Sequence, residues 1–204
     1  MSDTLFIVFS GVKRDFDIKF VKKLVKVVLG NEIKYNEKLI ANLYNTGRGS
    51  TIFIDTPLYK EFQITLSYLK GEVHVSFGLT QWFFRDYRVG SEEAVFRICD
   101  DLVERCVAAY NFVKPLHGYG DWGGVIDENW GKEKDFTKNF YWLNFYGHEL
   151  VEKVGREKLM NLPKQFSNCT IHKLANRGIL LKLARIPSVS NELIENVRKY
   201  LYEK

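Results

Sequence analysis

The residues best equipped for chemistry lie together in one stretch. HGYGDWGGVIDENW, residues 117–130, carries His117, the carboxylates Asp121, Asp127 and Glu128, and the rings of Tyr119, Trp122 and Trp130, spaced by Gly118, Gly120, Gly123 and Gly124. Paired carboxylates beside an aromatic platform are what glycoside hydrolysis needs, and an imidazole close by can act as a base. A small hydrolase is therefore one reading. The same residues also suit a contact surface. Aromatic side chains anchor protein interfaces, and a ring of acids complements a basic partner. Glycines permit backbone shapes that bring such side chains out together. Of the two, we expect binding, with His117, Tyr119, Asp121, Trp122, Asp127 and Trp130 as the partner-binding surface and no catalytic residue. The competing expectation is that Tyr119 and Trp122 fill the core beneath the segment.

Other chemistries are poorly provided for. NTGRGS at 45–50 resembles a phosphate loop only in its glycines. It precedes a strand and lacks the lysine that a phosphate-binding turn places before a helix. The histidines, His74, His117, His148 and His172, form neither HxxxH nor HExxH, so no metal is expected. No GxSxG elbow occurs. Cys99, Cys106 and Cys169 are an odd set. The first two stand seven apart on an expected helix, too far for a disulfide, so buried free thiols in a reducing cytoplasm are expected. Trp82–Arg88, WFFRDYR, mixes aromatics with arginine and could stack bases, but three bulky apolar residues in a row more often plug a core. No cofactor is implied.

Composition bounds the remaining choices. The chain has 204 residues, 46% hydrophobic and 27% charged, which fits one globular domain and argues against disorder. Aromatics reach 15%, enough for a substantial core. No apolar run is long enough to cross a membrane, and the N-terminal apolar run has no basic segment before it, so a cytoplasmic protein is expected. The net charge of +5 divides into +4 over residues 1–50, −5 over 51–130 and +6 over 131–204. Weak, salt-sensitive association with nucleic acid is thus an alternative function. Most of the lysines, however, alternate with glutamates or line one helix face, as solvated faces do.

Several elements must position these residues. TLFIVFS reads as a strand, and Asp15–Leu29 as an amphipathic helix with Lys19, Lys22, Lys23 and Lys26 largely on its polar side. Residues 31–50 are ambiguous. Strands follow at 51–55, 61–69 and 72–79, the last two as a hairpin. Ser91 caps a long helix through Val113. Residues 114–138 have no clear period and read as a long ordered Gly/aromatic loop. A strand at 139–146 precedes a helical stretch broken at Gly155 and ending near Pro163. A hairpin at 169–185 and a helix at 190–203 complete the chain. We expect a single α+β domain over 1–204, with a mixed or antiparallel sheet and helices packed on it. The order suggests two βαββα-like halves, 1–113 and 139–204, joined by the loop.

The C-terminal third carries one further signal. YWLNFYGHELVEKVGREKL, residues 141–159, is followed by Pro163, by RGILLKLARIP at 177–187 and by a last helix. An aromatic strand with Trp142 and Leu143 leads to a short helix with Glu149, Leu150 and Val151, then Gly155 and Leu159. A strand with Gly178 and Leu180 follows, and then Pro187. This pattern resembles bacterial immunity-type proteins, the type VI secretion immunity family and related polymorphic-toxin immunity proteins. Ser188-Val189-Ser190 stands where that pattern has a Gly-Asp pair. The resemblance implies a non-enzymatic protein that binds and blocks a cognate toxin, and it transfers no catalytic residue; the acidic segment 51–130 separately suggests a basic toxin as the partner.

Overall fold

The structure, a computed structural model, describes residues 5–12, 17–30, 37–45, 48–56, 58, 60–69, 72–79, 91–122 and 139–203. Eight strands form one open antiparallel sheet. They are β1 (Leu5–Val12), β2 (Arg48–Ile54), β3 (Phe62–Leu69), β4 (Glu72–Leu79), β5 (His117–Trp122), β6 (Leu143–Tyr146), β7 (Thr170–Lys173) and β8 (Ile179–Lys182). Their order is β2-β3-β4-β1-β5-β6-β8-β7, so β1 and β5 lie in the middle and β2 and β7 at the edges. The α+β class and the antiparallel sheet agree with the expectation.

The helices begin where side chains satisfy their free amides. In α1 (Ile18–Leu29) Asp17 accepts from the Phe20 amide at 2.7 Å. In α3 (Glu92–Val113) Ser91 accepts from Ala94, and Glu92 and Glu93 favour the positive end of the helix dipole. In α6 (Asn191–Tyr202) Ser190 accepts from Leu193. The ambiguous stretch contains α2 (Glu37–Asn45). Gly155, at φ 102°, separates α4 (His148–Val154) from α5 (Arg156–Gln165). α5 ends near Pro163 as expected, at Gln165, with the proline inside its last turn.

Two cores occupy opposite faces of the sheet. Leu5, Ile7 and Phe9 of β1 and Leu143 and Phe145 of β6 pack with α1 and α3. Tyr146, Ile179 and Leu181 point the other way and pack with residues of α4, α5 and α6. Arg105 of α3 makes a two-pronged pair with Asp101 and donates to the Val28 carbonyl of α1, tying the two helices together. Buried Lys182 reaches Asp100 of α3 at 3.2 Å and lies over the Trp142 ring. The Trp142 indole donates to the Ala184 carbonyl.

One sequence expectation is corrected here. The segment read as the start of a loop, His117–Trp122, is β5, paired to β1 on one side and β6 on the other. Alternation explains it. Gly118 and Gly120 take the strand's inward positions, and their missing side chains leave room for Phe9 and Ile7. A Cβ at Gly118 would strike the Phe9 ring, and one at Gly120 would come 2.8 Å from Ile7 Cγ1. Phe9 uses that space to meet Phe145 edge-on, with ring centroids 4.9 Å apart. The N-terminal and C-terminal strands of the sheet thus meet through a shared central strand. The rest of the expected loop, 123–138, lies outside the described residues.

Candidate functional site

The odd-numbered positions of β5 point away from the glycine face. His117, Tyr119 and Asp121 therefore continue rows of side chains running across the sheet. In the first row Phe53, Gln63, Gly78, Phe6 and Asp121 are register neighbours. The second row is Thr51, Thr65, Ser76, Val8 and Tyr119. In the third, Ser67 pairs with His74 and Ser10 with His117. This face is polar and half-exposed over β2, β3 and β4, as the water-facing side of an antiparallel sheet is. Phe53 is 56% exposed on it, and Thr51 and Thr65 bridge their hydroxyls at 2.8 Å.

A β-bulge shapes the third row. The β1–β4 register shifts between Phe9 and Val12, and Gly11 in that stretch has φ 72°. Ser10 Oγ lies 3.3 Å from His74 Nδ1. These two residues are 64 positions apart in sequence, and only strand register joins them; nothing local in the sequence signals the pair. His117 is buried beside them. Burial above all, and then His74, hold its imidazole near pKa 4, so it is neutral at pH 7.

The expected site residues are thus treated differently by the fold. Tyr119 is buried and stacks on Tyr141 at 4.5 Å between centroids. Asn144 pins the Tyr141 segment by accepting from its amide and donating to its carbonyl. Asp121 is half-buried at the end of the row that carries Phe6 and Phe53. Trp122 ends the strand. Asp127 and Trp130 lie outside the described residues, as do Glu128 and the Trp82–Arg88 cluster. His117 and Asp121 share a face but are four strand positions apart, about 13 Å. They cannot share a proton, so the hydrolase reading finds no acid–base pair in these two.

Other chemistry-bearing groups are equally accounted for. Cys99, Cys106 and Cys169 are free and buried. Desolvation pushes the Cys99 thiol up to about 12, Cys169 to about 11, and Cys106 upward as well, which makes them poor nucleophiles. No cluster of three or more metal-ligating side chains occurs among the described residues. No helix among them is long and apolar enough to cross a membrane. Lys19, Lys22, Lys23 and Lys26 all lie on the exposed side of α1, where Lys22 pairs with Glu37 and Lys23 lies over the Phe112 ring.

No protein-family model matches the chain. No curated protein matches it either. Among solved structures it is similar to the Pseudomonas aeruginosa T6SS protein PA0821. The TM-score is 0.57, the identity 7%, and the alignment covers 98% of this chain and 73% of that one. At this identity the likeness is one of fold, and it extends over both halves of the sheet.

Proposed function

We propose that this chain is a non-enzymatic binding protein of the immunity type, which neutralises a partner toxin by occupying it. The observation that carries the reading is the fold likeness to a T6SS protein over 98% of the chain. The Trp142–Pro187 pattern supports it independently. The contact surface in this reading is the sheet face that no described helix covers, together with the sequence that follows β5. Phe53 and Phe6 supply apolar contact and Asp121 negative charge; the proposed surface also includes Asp127 and Trp130, which lie outside the described residues. The partner in this reading is a basic protein, to which Asp121, in the acidic stretch 51–130, is complementary. The site of action is the cytoplasm.

The test is a growth assay in which the product of the adjoining gene is induced in a heterologous host. Co-expression of this chain should restore growth, and the two proteins should co-elute as one complex. A toxic neighbour whose effect is unchanged by this chain would remove the reading.

A further inference from the structure

A concavity away from Asp121 lies where the C-terminus of α3 meets the bulge of β1. It is a cleft of about 670 Å³, within the range of small-ligand pockets. Its floor is apolar: Tyr110 and Val113 of α3, with Pro115 beside them, are buried. Leu116, 37% exposed, forms part of the wall. Two cations, Lys114 and Arg177, stand on its rim. Both are exposed, and neither makes an ion pair among the described residues. His148 and Glu149 also line the cleft. His148 faces Glu152, which Arg156 also engages.

The backbone here is unusual. Four non-glycine residues among those described have positive φ, and three of them, Lys114 (52°), Asn176 (52°) and Arg177 (60°), line this cleft. Glycine adopts that conformation without steric cost. A lysine and an arginine therefore stand where glycine would make a more stable fold. Strain retained in this way clusters at functional sites.

From these features we infer that the cleft is a binding site for an amphipathic carboxylate: an apolar body against Tyr110, Val113 and Leu116, with its carboxylate between Lys114 and Arg177. Arginine takes a carboxylate through two parallel hydrogen bonds. The lone Glu149 partly offsets the two cations. That favours a singly charged acid over a doubly charged phosphate, and the apolar floor favours a hydrocarbon body over a sugar. Such a group can be a free small acid or the C-terminal residue of a peptide. The site is separate from the partner surface proposed above and does not depend on it.

The test is an amide-resolved NMR titration of the full chain. The probes are 3-phenylpropionate, its neutral amide, inorganic phosphate, and a tripeptide ending in phenylalanine with free or amidated C-terminus. At least one free acid should give saturable shifts at Gly11, Lys114, Gly147 and Arg177 below about 10 mM, an affinity of a few kcal/mol being within reach of one such contact. The tighter acid identifies the source. The double variant Lys114→Gly/Arg177→Gly should keep or raise the melting temperature while weakening binding by about tenfold or more, as loss of a charge-assisted contact implies. No localised shift with either acid, equal binding of the neutral amide or of phosphate, or unchanged affinity in the double variant would each overturn the assignment. A double variant that melts markedly lower would overturn the strain argument on which it stands.

Discussion

His117 is a buried imidazole whose charge the fold refuses. Its folded pKa, near 4, lies below the ordinary 6.5. The unfolded chain therefore takes up a proton below pH 6.5 that the folded chain does not. The stabilisation is fully present above pH 6.5 and is lost as pH falls toward 4, at up to about 1.4 kcal/mol per pH unit and about 3 kcal/mol in all. Urea unfolding between pH 7.5 and 4.5 should show that loss, and His117→Leu, which cannot titrate, should show a shallower slope. Equal slopes would mean that His117 charges freely in the folded state. Tyr146 offers a second test. Its hydroxyl is buried with no hydrogen-bond partner among the described residues, and burial pushes the phenol pKa far up. Tyr146→Phe should raise stability by about 1 kcal/mol, because an unsatisfied polar group is removed without changing shape. A loss of that size would reveal a partner for the hydroxyl.

At the scale of elements, β5 is where packing and sequence pattern diverge. Val, Ile and aromatic residues mark strands, and glycine marks turns. In HGYGDW the glycines are the buried face, because the side chains that fill it come from Phe9 and Ile7 on β1. Local pattern cannot show that. Gly118→Ala should cost about 1–3 kcal/mol by overpacking against the Phe9 ring, read as a fall in the urea midpoint. An unchanged midpoint would mean that the ring has room to move. Elements with both a cap and an apolar stripe were legible. Ser91 and Val95, Cys99, Leu102, Cys106 and Tyr110 define α3 in the sequence as in the fold. The nine-residue α2 carries too short a pattern to stand out. The candidate site was legible only in part. Residue types at 117–121 could be singled out from the sequence, but their sorting into buried His117 and Tyr119 and half-buried Asp121 follows from strand register. Ser10 and His74 join them solely through pairing across β1, β4 and β5.

At the scale of the whole molecule, the sheet has a repeated connectivity. In one part, β1 lies beside β4 and β4 beside β3, with α1 and α2 between β1 and the following strands and α3 after β4. In the other, β6 lies beside β8 and β8 beside β7, with α4 and α5 inserted likewise and α6 after β8. The two helix groups pack on opposite faces. One consequence is that β2, β3 and β4 keep a polar face that no described helix covers. A sheet face held rigid from behind is well suited to a preorganised contact, since little is lost in ordering it on binding. The reading of this chain as a neutralising protein depends on such a contact. The most direct measurement is a calorimetric titration of the purified chain against the purified product of the adjoining gene, repeated with Phe53→Asp and Asp121→Lys. The account predicts a one-to-one complex with Kd of about 10 nM or tighter, as standard-sized specific interfaces reach. It also predicts weakening of about tenfold or more in each variant at unchanged melting temperature. Absence of binding would contradict the function, and full affinity in both variants would contradict the surface.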